Sequence, residues 1–269
     1  MNDWTKYNYK SVSAGDVTEI YIYRWPQYKK KPTIDQLDKE VVKDQIKKEK
    51  SSKDFNDKND KNEDKKVRSR ISIERTKRQI KRLVNANVNQ SKNSDKFITL
   101  TFEGDDPTRK KTCYKFKEFA RKMRNLFGRF DYLAVIEAGM INGRLHIHLI
   151  AFGLEYIKKD DLAKIWNNGF VDINEIRNVR NVENYLLKYL EKAFDDGHIS
   201  KGEKFYFVSQ GLKKPVERFY EDDYFLYDDD LGICECDIDL KSAFVGDMIY
   251  QRYRRVNYDE CDDDWPFDW

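Results

Sequence analysis

The chemistry-bearing residues of this chain fall into two short stretches. His146 and His148 sit in the run Arg144-Leu145-His146-Ile147-His148-Leu149-Ile150. A strand has a side-chain period of two, so both imidazoles project from one sheet face. Two neutral imidazoles side by side are the start of a divalent-metal site. An isolated His-x-His is more often decoration on a half-buried strand, so its surroundings decide the reading.

Those surroundings offer a carboxylate. Asn142-Gly143 is a strong signal for a two-residue hairpin, because a type I′ turn needs positive φ at both central positions. With those two residues in the turn, Ile141 pairs with Arg144, Gly139 with His146, and Glu137 with His148. Directly opposite residues share a face, with Cβ atoms about 5 Å apart. Glu137, His146 and His148 then converge on one patch, a seat for Mg²⁺ or Mn²⁺ that polarises a phosphoryl oxygen. A slip of one residue would turn Glu137 to the other face.

The second stretch is Tyr185-Leu186-Leu187-Lys188-Tyr189. Spacing of four puts both phenols on one helix face, a turn apart, at the edge of an apolar stripe of Leu186, Leu190 and Phe194. Amphipathic packing alone would account for the tyrosines. Lys188 and Lys192 suggest more, since a phenol with a pKa near 10 is a poor nucleophile at neutral pH and nearby cations or a metal lower that cost. The same lysines suit phosphates.

Elements that would position these residues can be read on either side. Val67 to Asn89 has helical spacing of Ile73, Ile80, Leu83 and Val84, surrounded by cations including Arg75 and Arg78, with Glu74 the only acid. A helix of one charge sign gains no salt bridges from its own face, so a phosphate backbone explains it better. Phe97 to Phe102 reads as a strand. Thr112 to Phe127 reads as an amphipathic helix, with Phe116, Phe119, Met123, Leu126 and Phe127 facing the core. Strands follow at Tyr132–Ala138 and Leu145–Phe152, a helix at Lys158–Asn168 closed by Gly169, and a strand at Phe170–Ile176. A helix from Val182 to Phe194 with Asn181 as N-cap, and a strand at Lys204–Ser209, complete the pattern. This order predicts an α+β fold, an antiparallel sheet with helices backing one face.

The ends of the chain are less regular. Val17 to Tyr23 alternates as one strand, while Asp38 to Lys66 is nearly all polar and reads as a solvated linker or frayed helix. The formal net charge of +3 conceals an asymmetry. From Arg218 onward there are 5 basic and 16 acidic residues, net −11, which leaves +14 on residues 1–217. The body therefore suits a polyanion, and the end reads as an irregular acidic tail. The expected division is an extension over 1–66, a catalytic domain over 67–217 and a tail over 218–269. No apolar run approaches the roughly 18 residues of a membrane span, and no signal-peptide core is present, so a cytoplasmic protein without a membrane partner is expected. Four cysteines, Cys113, Cys234, Cys236 and Cys261, are too scattered for a disulfide framework and read as reduced thiols.

Phe97 to Phe102, Arg144 to Ile150 and Tyr185 to Tyr189 together resemble the three ordered motifs of rolling-circle replication initiators, the His-hydrophobic-His endonucleases. The two-tyrosine plasmid and microvirus-like type is the nearest. Trp166-Asn167-Asn168-Gly169-Phe170-Val171 and Ser209-Gln210-Gly211-Leu212-Lys213-Lys214-Pro215 add to the likeness, which spans about residues 67–217. The resemblance implies a ferredoxin-like or RNA-recognition-motif-like sheet with the histidines on a central strand. It implies a divalent metal held by His146, His148 and Glu137, and single-stranded or cruciform origin DNA bound through residues such as Lys188, Lys192, Arg144, Arg75, Arg78 and Lys213. Tyr185 or Tyr189 would attack the scissile phosphate, leaving a 5′-phosphotyrosine link and a free 3′-OH primer, and rejoin the strand at termination. The setting implied is a bacterial host cell. The sequence holds no Gly-x-x-x-x-Gly-Lys-Ser/Thr segment, so unwinding is expected to come from a host helicase and the host replication machinery. Competing readings are a non-catalytic nucleic-acid-binding module, and a relaxase or transposase with the same chemistry.

Overall fold

The computed structural model describes residues 4–30, 61–91, 94–104, 107–138, 144–176, 186–188, 206–227, 231–242 and 245–255. In chain order these form strands β1 (Trp4–Ala14) and β2 (Val17–Lys30), helix α1 (Lys61–Asn85), strand β3 (Asp95–Leu100) and helix α2 (Arg109–Phe127). Strands β4 (Asp131–Ala138) and β5 (Leu145–Phe152), helix α3 (Lys159–Trp166) and strands β6 (Val171–Ile176) and β7 (Tyr206–Val208) follow. Strands β8 (Val216–Tyr220), β9 (Ile233–Ser242) and β10 (Gly246–Arg254) close the series. The architecture is antiparallel α+β, as the sequence predicts. It contains two five-stranded sheets rather than one, ordered β8-β1-β2-β10-β9 and β6-β3-β5-β4-β7. The chain divides into two compact units, Met1–Arg70 with Val216–Trp269, and Ile71–Pro215.

The first unit corrects the reading of the chain ends. Residues beyond Arg218 are not an irregular acidic tail. There, β10 pairs antiparallel with β2 and with β9, while β8 pairs with β1. The hidden signal is a period of two in β9, where Cys234, Cys236, Ile238 and Leu240 alternate with Glu235, Asp237, Asp239 and Lys241. A count of charge averages that alternation away. Likewise β1 and β2 form a hairpin turning at Gly15, whose φ of 62° favours glycine. Arg254 ties the hairpin to the edge strand, donating to Asp16 at 2.9 Å and to Glu235 at 2.7 Å.

In the second unit, helices cover both faces of the sheet, not one. One face carries Ile98, Leu100, Ala134, Ile136, Ile147 and Leu149, packed with Phe116, Phe119 and Met123 of α2 and Leu162 and Trp166 of α3. The opposite face carries Phe97, Leu133, Val135 and Ile150, packed with Ile80, Leu83 and Val84 of α1 and with Leu186 and Leu187. Strands buried on both faces need no apolar–polar alternation, which is why β4 and β5 read as nearly continuous apolar runs.

Local chemistry sets the helix ends. Thr108 caps α2, its hydroxyl accepting from the Lys111 N–H at 3.3 Å, and Gly128 closes the helix at a φ of 77°. The helix starts at Arg109, earlier than its apolar stripe suggests. Leu126, expected in the core, is 64% exposed, because it lies at the stripe's edge in the last turn. Asn87 clamps the end of α1, its amide donating to Leu83 O at 2.8 Å and Lys213 O at 2.9 Å, while its carbonyl accepts from Lys213 N at 2.8 Å.

Candidate metal centre

β5 lies at the centre of the second sheet, flanked by β3 and β4. His148 pairs with Thr99 on one side and Val135 on the other. His146 pairs with Glu137. The expected register, Glu137 opposite His148, is therefore corrected by two residues. The expected pair Gly139–His146 and the turn Asn142-Gly143 lie outside the described residues. An even shift leaves every side chain on its original face, so Glu137 still meets both histidines.

The three side chains form a compact donor set. One ligand atom from each of Glu137, His146 and His148 lies within 4.8 Å of the others. Glu137 Oε2 stands 3.8 Å from His148 Nε2, beyond hydrogen-bond reach, with both side chains almost fully buried. The two imidazole planes cross at 89° with centroids 6.2 Å apart. Two atoms bonded to one small divalent ion at about 2.1 Å can be no more than about 4.2 Å apart. The cluster would reach that limit by closing a few tenths of an ångström, within side-chain torsion. Two nitrogens and one carboxylate oxygen, with one direction open, fit a catalytic ion rather than a closed structural site.

The β3 neighbours brace the site. Phe97 stacks on His148 with ring centroids 6.0 Å apart and planes 25° apart. Thr99 Oγ1 lies 3.1 Å from His148 Nδ1. At the other end of β3, buried Asp95 accepts from the Asn89 N–H at 2.7 Å and the Gly153 N–H at 2.8 Å, tying the exit of α1 to the exit of β5. Burial raises the Asp95 carboxyl above its ordinary pKa of 3.8, against the lowering pull of those two N–H groups and of Lys96. Neither Thr99 nor Asp95 stood out in the sequence. The signal for Thr99 was its placement two residues after Phe97, on the same strand face.

The other expected site residues fall into three groups. Arg75 and Arg78 are exposed on α1, Arg144 is exposed just before β5, and Lys188 is exposed beside buried Leu186 and Leu187. Lys213 is exposed, and its ammonium donates to Gln90 at 3.2 Å while its backbone holds Asn87. Tyr185, Tyr189 and Lys192 lie outside the described residues, as does most of the expected helix 182–194. Tyr206 is an unanticipated phenol, paired with Val135 in the row that holds His148. Burial raises its pKa, which keeps it protonated and makes it a poor nucleophile.

Residues 95–194 match a family model for replication-associated proteins, the ORF2 type. The matched segment opens on the first residue of β3, contains Glu137, His146 and His148, and runs through Tyr185 and Tyr189. It supports a replication-initiator role and DNA as a partner. No curated protein and no solved structure matches the chain.

Proposed function

We propose that this chain is a rolling-circle replication initiator of the His-hydrophobic-His type, which nicks and rejoins single-stranded origin DNA. The observation that carries the reading is the Glu137–His146–His148 cluster on the central strand of the segment that matches the replication-associated family.

Glu137, His146 and His148 would hold Mn²⁺ or Mg²⁺, which when bound supplies Lewis-acid polarisation of the scissile phosphate. The protein's own residues do the rest. Cations of α1, chiefly Arg75 and Arg78, with Arg144, Lys188, Lys192 and Lys213, bind the phosphates on either side. Tyr185 or Tyr189 attacks phosphorus through its phenolic oxygen. The new bond joins tyrosine to the 5′-phosphate, the bond to the 3′-oxygen breaks, and that oxygen leaves as a 3′-hydroxyl after taking a proton. Reversal by the 3′-hydroxyl rejoins the strand and frees the tyrosine. Buried Leu186 and Leu187 support this assignment, since Tyr185 adjoins them in sequence and they pack on the same sheet face as Val135 and His148.

The test is incubation of the protein with labelled single-stranded origin DNA and Mn²⁺, followed by mass spectrometry of tryptic peptides. A nucleotide attached within the peptide spanning Tyr185 or Tyr189 is expected. DNA that is bound yet never attached would favour a non-catalytic origin-binding module instead.

A further inference from the structure

The strand Phe97–Phe102 is one of the three motifs of the chain, yet nothing in the proposed reaction uses it. Its central residue, Thr99, is directly opposite His148 in the β3–β5 ladder. The Thr99 hydroxyl oxygen is 3.1 Å from His148 Nδ1, while the other ring nitrogen, Nε2, faces Glu137 Oε2 at 3.8 Å. Each nitrogen of this ring therefore has a separate neighbour.

A neutral imidazole carries one proton, on one nitrogen or the other. A ligand nitrogen must offer its lone pair, so His148 can use Nε2 toward a cation only with the proton on Nδ1. With the proton on Nε2, an N–H points into the cluster and no lone pair is available there. A hydroxyl beside Nδ1 can accept that N–H. Phe97, stacked on the ring, limits its tilt but has no acceptor to select a tautomer.

We infer that Thr99 is a positioning residue for the metal centre, holding His148 with Nδ1 protonated and Nε2 aimed at Glu137. The inference rests on the proposed metal-binding reading of the same site and assigns a role to the first motif. Thr99 touches neither the ion nor DNA in this role; it acts through His148. A valine at this position keeps the β-branched shape that suits a strand and removes the acceptor, and a serine restores it.

The experiment uses the full chain with Mn²⁺ as the probe. The wild type, Thr99→Val and Thr99→Ser are compared by calorimetric Mn²⁺ titration and by ¹⁵N NMR of the histidine rings without metal. Thr99→Val is expected to weaken Mn²⁺ binding by about 10-fold or more, the range seen when partners of ligand histidines are removed. It should also shift His148 toward the Nε2-protonated tautomer, with Thr99→Ser close to wild type in both measurements. Circular dichroism and thermal melting identify any variant that fails to fold, and Thr99→Ala then replaces it.

Two results overturn the inference, and they are distinguishable. Equal Mn²⁺ affinity and an unchanged tautomer in Thr99→Val remove the role from Thr99 and leave the metal site standing. A wild type that takes up no Mn²⁺ removes the metal site and the positioning role together.

Discussion

Glu137 stands directly across from His146 on the adjacent strand, and its carboxylate reaches diagonally to within 3.8 Å of His148 Nε2. Diagonal neighbours on one sheet face are about 7–8 Å apart at the backbone, within reach of a long side chain and a ring. One residue of β4 thus faces two of β5, and a rigid, doubly buried sheet sets the spacing of all three donors.

If these residues hold a cation, removing one donor should be read first in binding. Glu137→Gln keeps the shape and removes the charge, and His148→Ala removes a nitrogen. Each is expected to weaken Mn²⁺ binding by about 100-fold or more, since loss of outer partners alone costs about 10–100-fold. Calorimetric titration measures this, and DNA affinity without metal should be unchanged. Wild-type Mn²⁺ affinity in both variants would dismiss the triad as a metal centre.

The nucleophile assignment predicts a separation of binding from chemistry. Tyr185→Phe and Tyr189→Phe together should abolish the covalent DNA adduct while the dissociation constant for single-stranded DNA stays within about 2-fold, because two hydroxyls leave the phosphate contacts intact. Denaturing gels and fluorescence anisotropy read the two quantities. An adduct that persists in the double variant would exclude both tyrosines.

Gly169 has no room for a side chain. A Cβ there would lie 2.7 Å from both Glu103 N and Thr101 O, at a φ of +153°. The segment runs close alongside residues 101–103, with Thr101 N donating to Phe170 O at 2.9 Å and Glu103 N to Asn168 O at 2.8 Å. Gly169→Ala should cost about 1–3 kcal/mol through strain and displaced backbone. A lowered urea midpoint at unchanged m-value is expected, and an unshifted midpoint would count against the close approach.

Asp95 makes a pH-dependent contribution of defined sign. Burial raises its folded-state pKa above 3.8, so its ionisation opposes folding. Stability from this group is full below 3.8 and is lost as pH rises through the raised value. Melting temperatures of wild type and Asp95→Asn across that range should therefore show the wild type losing ground relative to the variant as pH increases. The variant also loses an acceptor for Asn89 or Gly153 N–H, which lowers its whole curve by about 1–3 kcal/mol without altering the slope. A wild type that gains relative stability with rising pH would refute the assignment.

Local pattern alone specified a good deal of this protein. The period of two places His146 and His148 on one face whatever the packing, and the apolar runs of β4 and β5 define strands for any buried sheet. The stripe Phe116–Phe119–Met123 defines a core-facing helix. Local signals did not contain the pairing of distant strands. The β4–β5 register lies two residues from the one a tight Asn142-Gly143 turn would give, and only the ladder reveals it. Glu137 survived that shift because the period of a strand is two.

The joining of β1 and β2 to β8 and β10 depends on backbone hydrogen bonds between residues some 200 positions apart, as Lys10 and Phe219 illustrate. Charge composition cannot register such pairing, and it concealed the alternation in β9. Thr99 is the same lesson at the scale of one side chain. Its sequence marks it as a strand residue, and its partnership with His148 exists only because β3 and β5, about 50 residues apart, are neighbours in one sheet. Face and period are local properties of the chain. Register and neighbourhood are settled by which strands bury each other, and that is a property of the whole fold.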